Sequence, residues 1–544
     1  MDNLTSNSAS TLSPSKEPSL LGLLLASIGP QLTTIAILAA VLLATRLYRE
    51  DDPYQLKSIP RLPRSRIMDA YHSGSVWRIF VPRLIPYLDA AYHKAGAPSM
   101  VSSRGGSDST QYSRNGKPFK IWIIALRKWV YVLPPKYLEK IRNQNQSALN
   151  LRDVIHMVYP GLLDNFVAQV SSRLVNVYLS EIDPLLQSRT EHLLDRDIGA
   201  PKQWKSINAN KLSQDLVDHV SGRLVFGENL VDNTAFREPM TRYSHRLVAH
   251  GLLGRRFNIW PLSPLFARYL QWQLKRDLAI VARIVGDEVS KRRRQQEQDP
   301  NGKKPFDCIQ WAMEQDIPED QKSPEAIAQR LAFATSGMIS TPPGTLLGFF
   351  FDVASQKSVV EEIRTEIAQV LKEDGQGWVE TSIAKMKKLE SFCQESVRTS
   401  SSLAPLTGWR LVTSDSFRFD DSLTLPKGSI ITFPTRHMRL NPDTFESPDK
   451  FDGLRFMKIK EEQGGRDDLT SDAIKHRSLL FGYGRQACPG RFYAQRLMKV
   501  IIGVAISRYD IRYAGGDRER PESWDIEPFL IGDTTVDLEF KVRH

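Results

Sequence analysis

Cysteine is scarce, with only Cys308, Cys393 and Cys488 in 544 residues. They lie too far apart for any zinc-binding spacing, and an odd, sparse set argues against a disulfide framework and for a reducing compartment. No serine- or glycine-rich linker interrupts the middle of the chain, and no repeat recurs. One large domain is therefore favoured over several small ones. No G-x-G-x-x-G follows a strand-like run, so a dinucleotide site is not expected, nor an appended flavin domain. No basic face carries interleaved aromatics, which excludes nucleic acid as a partner. Charge is missing altogether between Glu17 and Arg46.

That uncharged stretch is the first positive feature. Leu20 to Leu47 is mostly apolar, and about 20 such residues cross a bilayer as a helix. The start is rich in Ser and Thr, with Lys16 balanced by Glu17; a cleaved signal would carry a basic end and a shorter apolar core. The reading is a short lumenal tail (1–19), a transmembrane anchor (20–47) and a proline-containing hinge (48–66) built on Ser58-Ile59-Pro60-Arg61-Leu62-Pro63-Arg64. Arg46, Arg49, Lys57, Arg61, Arg64 and Arg66 come after the span, which places the bulk of the protein in the cytosol. Asn3 then begins a lumenal glycosylation sequon, and the sequon at Asn145 is expected to stay bare. The net charge of +11 is spread along the chain. It suits an anionic membrane surface or an acidic partner. The one dense run, Lys291-Arg292-Arg293-Arg294, reads as a solvated helix end.

The remaining chain, 41% hydrophobic overall, has ample material for a core. Ile121–Ile124 and Trp129–Val132 flank Arg127-Lys128 and read as a hairpin. Pro134-Pro135 ends it, and a helix is expected from Tyr137. Helical patterns run from Asp164 to about Arg398, with Cys393 in the core; Cys308 says nothing. Val536, Leu538, Phe540 and Val542 alternate with polar residues as a half-buried strand does. The expected fold is mostly α with small β-sheets.

The most informative segment is Phe481-Gly482-Tyr483-Gly484-Arg485-Gln486-Ala487-Cys488-Pro489-Gly490, which leads into a helix-like run from Arg491 to Ser507. Its glycines let backbone approach a flat, bulky partner. Surrounding amides and the start of a helix are expected to favour a thiolate at Cys488. The segment resembles the haem-ligand loop of the cytochrome P-450 superfamily, F-x-x-G-x-R-x-C-x-G, and most closely that of filamentous-fungal members in specialised metabolism. Phe481, Gly484, Cys488 and Gly490 match. The basic residue two places before the cysteine is Gln486 here, with Arg485 one place early.

The resemblance implies a cytochrome P-450 fold behind the anchor, with residues 67–544 as the catalytic domain. It implies haem b, with Cys488 as axial ligand to the iron and Phe481, Gly484, Arg485, Gln486 and Gly490 around the cofactor. Arg410, in Thr407-Gly408-Trp409-Arg410, then bonds a propionate or sits as a surface arginine beside a strand. His437 could approach a propionate or hold its own loop. Glu395 and Arg398 lie three apart on a helix and can pair; Arg455, in Phe451-Asp452-Gly453-Leu454-Arg455-Phe456, joins them in a structural triad although the family's proline is missing. Ser323-Pro324-Glu325 opens a long helix. Within it Thr341 takes the place of the family's proton-delivering threonine and Ser340 that of the preceding acid or histidine. Thr335 and Gly337 take over if the register slips. Pro342-Pro343 is expected to kink or open that helix. Ser400–Pro405 should line the substrate pocket.

The activity implied by the resemblance is that of a monooxygenase of the endoplasmic reticulum membrane, single-pass, acting on a hydrophobic terpenoid, polyketide or alkaloid. Its partners are membrane lipid and a separate NADPH-cytochrome P-450 reductase, with a small cytochrome as a second allowed donor. Two alternatives stay open. One is a haem-thiolate isomerase or dehydratase without external electrons; the other is a non-enzymatic haem-binding membrane protein.

Overall fold

Phe119, Ile121 and Ile123 share one face of a strand and are buried, and Lys120 on the other face is buried too, its ammonium over the Tyr131 ring. They form β1 (Phe119–Ile123), which pairs antiparallel with β2 (Lys128–Val132), Phe119 opposite Val132. The computed structural model describes residues 117–123, 126, 128–158, 175–253, 263–316, 318–375, 377–399, 405–462, 479–526 and 529–543. The expected anchor, hinge and Asn3 sequon lie outside them. Among the described residues no helix is long and apolar enough to cross a membrane.

In chain order, the first elements that carry the site are α1 (Leu138–Arg142), β3 (Leu149–Asn150), α2 (Leu151–Val158), α3 (Leu179–Asp197), β4 (Lys205–Asn208), α4 (Ala209–Phe226) and α5 (Thr234–Leu253). Then come α6 (Ser263–Gln298), α7 (Pro324–Ser340), α8 (Pro342–Ser355), α9 (Lys387–Thr399), β5 (Thr407–Val412), β6 (Ser416–Asp420), β7 (Leu423–Pro426), β8 (Ile430–Phe433), α10 (Arg491–Arg508), β9 (Tyr509–Tyr513), β10 (Trp524–Ile526), β11 (Phe529–Ile531) and β12 (Asp537–Val542). The protein is mostly helical with small sheets. A five-stranded sheet has the order β1-β2-β8-β5-β3, a three-stranded one β4-β12-β9, and β6-β7 and β10-β11 form pairs. Leu538 and Phe540 of β12 are buried, as the alternation predicts. β4 departs from the helical pattern expected around it. Lys205-Ser206-Ile207-Asn208 has no apolar alternation and is a strand because β12 pairs with it.

The helical core joins Leu216 and Val220 of α4, Leu331 of α7, Phe350 of α8, Phe392 of α9 and Ile501 of α10. Each such side chain contributes about 1.5–3 kcal/mol by leaving water. In the run at Lys291–Arg294, Lys291 and Arg294 are exposed as expected, and Arg292 is the exception. Arg292 is buried, grips Asp307 with both Nη atoms at 2.7 and 2.9 Å, and donates through Nε to Glu288 at 2.9 Å. A fork of donors matched to a carboxylate explains why an arginine here goes inside.

Ser323 caps α7 by accepting from the Ala326 N–H, with Pro324 at the first helical position. The helix stops at Ser340 and resumes as α8 at Pro342, leaving Thr341 between the two. Neither proline has an N–H, so the carbonyls of Met338 and Ile339 lose their partners four residues on. The expected opening of the turn is present.

Candidate active site

The cysteine loop is a tight, glycine-dependent turn. Gly482 and Gly484 have φ of 77° and 69°, the left-handed region that side chains disfavour. The loop closes through the Cys488 N–H to the Phe481 carbonyl at 2.6 Å and the Ala487 N–H to the Gly484 carbonyl at 3.1 Å. A Cβ on Gly484 would stand 2.0 Å from the Arg142 carbonyl oxygen of α1. Gly484→Ala is therefore expected to cost at least about 2 kcal/mol from dihedral strain and the clash together. Thermal unfolding of purified protein checks this; an unchanged melting curve would refute the close approach.

Cys488 is exposed, and α10 starts three residues later. Burial within the loop pushes its thiol above the ordinary value, outweighing the Gly490 amide and the Arg491 charge that pull it down. The Gly490 amide and the Arg491 charge favour the anion as expected, and desolvation opposes them. Gly490 leaves room beside the sulfur, since a Cβ there would meet only Sγ, at 4.0 Å.

Gln486, expected around the cofactor, bridges two backbone groups. Its Nε2 donates to the Leu149 carbonyl at 2.6 Å and its Oε1 accepts from the Leu151 N–H at 2.8 Å. The amide is engaged at both ends by backbone. Arg485 is exposed, with no hydrogen bond or ion pair among the described residues.

Arg410 is not a surface arginine. It lies on β5 and is 1% exposed. Its Nη2 donates to the Tyr483 carbonyl at 2.8 Å and Nη1 to the Trp409 carbonyl at 2.7 Å. Its Nε is buried without a partner, and no carboxylate among the described residues pairs with it. Burial lowers its pKa to about 10. A buried guanidinium one hydrogen bond from the cysteine loop, lacking a counter-charge, fits an anionic group of a bound cofactor. The exposed thiol, the space beside Gly490 and this orphaned donor together fit a haem with a propionate at Arg410. His437 is buried in the short helix Thr435–Arg439.

Behind the loop, Glu395 is fully buried. It accepts from Arg398 Nε at 2.7 Å and Nη2 at 2.8 Å, from Arg455 Nε at 3.0 Å and from the Asp452 N–H at 2.9 Å. The missing proline does not keep Arg455 away. Arg398 also donates to the carbonyls of Arg439 and Pro448, so the group ties the short helix Thr435–Arg439 and the chain around Pro448 and Asp452 to α9.

On the helix break, four hydroxyls behave differently. Thr335 donates to the Leu331 carbonyl at 2.6 Å, Ser336 to Ala332 at 2.9 Å, and Ser340 to Ser336. Thr341 is exposed and caps nothing, and its hydroxyl has no partner among the described residues. Gly337, one turn earlier, is also exposed, with nothing within 4 Å of a built Cβ. Thr341 is thus the hydroxyl open to solvent, while Ser340 is committed to its own helix. Ser400–Ala404 lie outside the described residues.

Sequence reasoning missed several supports of the loop. Tyr483 donates its hydroxyl to Glu139, and Asn176 Nδ2 donates to the Pro489 carbonyl at 3.1 Å. Away from the loop, Asp352 of α8 accepts from Ser396 of α9 and faces Arg520 at 2.7 Å, and burial raises its pKa to about 6. No local pattern announces such partners.

Fold and loop together define a helical protein that presents one cysteine sulfur on a glycine-shaped turn. The Cytochrome P-450 family profile matches residues 167–540. An aspergilol synthase of Aspergillus ustus is 44% identical over 524 residues, covering 94% of this chain and 92% of that protein. The cytochrome P-450 monooxygenase sttB of Aspergillus terreus is 38% identical, covering 94% and 95%. The monooxygenase sirB of Leptosphaeria maculans is 31% identical, covering 80% and 84%. The chain belongs to the cytochrome P-450 family, and it is an oxidoreductase of the monooxygenase class.

Proposed function

We propose that this protein is a membrane-anchored, haem-thiolate monooxygenase of fungal secondary metabolism. It takes electrons from NADPH through a separate reductase and inserts one oxygen atom into a hydrophobic terpenoid, polyketide or alkaloid. The observation that carries the reading is the pairing of an exposed Cys488 with a buried, uncompensated Arg410 tied to the same loop. The relative named as an aspergilol synthase supports the biosynthetic setting. The apolar segment 20–47 and the arginines after it support residence in the endoplasmic reticulum membrane with the catalytic domain in the cytosol. The net charge of +11 supports docking of an acidic electron donor.

Haem, when bound, supplies the activation of dioxygen and the transfer of oxygen. The chain's residues hold and orient it. Cys488 provides the sulfur ligand, Arg410 the cation for a propionate, and the Glu395 group the rigid ground behind the loop. Thr341 holds a proton-bearing water with its uncommitted hydroxyl. Thr341→Ala is expected to lower product formed per NADPH consumed by on the order of a hundred-fold, the low end of what proton-delivery groups contribute. Ser340→Ala is expected to change it little, because that hydroxyl already serves the Ser336 carbonyl. Parallel measurement of NADPH consumption and product decides the matter. Equal losses in the two variants would remove Thr341 from this role.

The commitment of Ser340 also favours a second reading, a haem-thiolate isomerase or dehydratase that uses no external electrons. Turnover that persists without NADPH and dioxygen would establish it. The primary test is incubation of membranes containing the protein and a reductase with candidate scaffolds, with product analysis as the readout. The absorption spectrum of the reduced, carbon monoxide-bound protein accompanies it.

A further inference from the structure

We infer that Gln486 is a positioning residue, one that locks the cysteine loop to the edge of the five-stranded sheet and does not contact the cofactor; the inference rests on the haem-thiolate reading above. The amide works at both ends. Nε2 donates to the carbonyl of Leu149, in β3, and Oε1 accepts from the N–H of Leu151, the first residue of α2. The first N–H groups of a helix have no partner inside it. Asn150 Oδ1 accepts the Arg152 N–H at 2.9 Å, and Gln486, from 335 residues away, takes the Leu151 N–H. The helix start is capped in part by the loop that bears the sulfur.

The link belongs to a closed circuit. β3 pairs with β5, Leu149 opposite Val412 and Asn150 opposite Leu411. β5 carries Arg410, which returns to the loop at the Tyr483 carbonyl. Gln486 to β3, β3 to β5, and Arg410 to Tyr483 fix where Cys488 stands relative to the Arg410 cation. Removing the Gln486 link opens the circuit while leaving both cofactor contacts in place.

The chemistry also explains why an amide stands here. Lysine and arginine carry only donors. Either could meet the Leu149 carbonyl, but either would face the Leu151 N–H donor to donor. Glutamine satisfies both backbone groups, and the cation that this loop lacks at position 486 is supplied from β5 by Arg410.

The test uses full-length holoprotein in detergent, as wild type, Gln486→Ala and Gln486→Glu. Haem content, the Soret position of the carbon monoxide-bound form, hydrogen exchange over 149–158 and the rate of loss of the thiolate-type Soret band in dilute urea are measured. Gln486→Ala is expected to keep wild-type haem content and Soret position. Exchange over 149–158 should be about five-fold faster, the size of a lost helix cap, and the band should be lost faster in urea. Gln486→Glu keeps an acceptor for Leu151 but no donor for Leu149. It should restore protection over 149–158 without fully restoring urea resistance. Loss of haem in Gln486→Ala with wild-type exchange would overturn the inference and make the residue a cofactor contact. If Gln486→Ala does not accumulate folded, Gln486→Glu decides: retained protection supports the cap, and lost protection refutes it. A wild-type protein with no thiolate-type band fails the haem reading separately, before any variant is compared.

Discussion

Cys488→Ala is expected to yield a folded protein without haem pigment and without turnover. Cys488 is an exposed residue outside every hydrophobic core cluster, so its removal opens no cavity in the core and unpairs no buried polar group. Folding should survive: the Cys488 N–H to Phe481 bond and the left-handed glycines belong to the backbone and remain. The change removes the ligand that the family's chemistry needs on the iron. Loss of turnover should be complete within detection. Circular dichroism checks the fold, absorption spectroscopy the pigment, and product analysis the activity. Pigment and turnover at wild-type levels would remove the basis of the functional assignment.

The second large effect is structural. Glu395→Ala would leave Arg398 and Arg455 buried around a space with no counter-charge. Breaking such a pair from one side costs about 3–5 kcal/mol. That is a large part of the roughly 5–15 kcal/mol by which a folded domain exceeds its unfolded state. The variant is expected to accumulate poorly and to lose haem as the loop's support fails. Glu395→Gln keeps the volume and one acceptor, and should fall between. Soluble yield and the thermal transition of the holoprotein measure both. A melting curve indistinguishable from wild type for Glu395→Ala would show that the two guanidiniums are held by the backbone carbonyls around them alone.

The parts of the site legible in the sequence are those written in adjacent residues. The glycines of the cysteine loop, the Ser323-Pro324 helix start and the Glu395–Arg398 spacing each declare themselves within a few positions, because turns, caps and i,i+3 pairs are local. The hairpin at 119–132 and the strand at 537–542 are readable from alternation for the same reason. Arg292 is not, because its partner Asp307 lies 15 residues on, across the end of a helix. Gln486 is not, because backbone groups, which every residue possesses, take up its amide. The desolvation that opposes the Cys488 anion escapes sequence reading because it comes from packing around the sulfur and not from adjacent residues.

Sequence alone determined which residues could supply a sulfur ligand, a helix break and a buried ion pair, since these depend on side-chain type and short spacing. Tertiary structure alone decided that Arg410 and Arg439 are buried without a carboxylate partner among the described residues, which hydroxyl stays open and what Gln486 holds. Those outcomes depend on burial and on groups hundreds of positions distant, and only the packed chain brings them within hydrogen-bonding range.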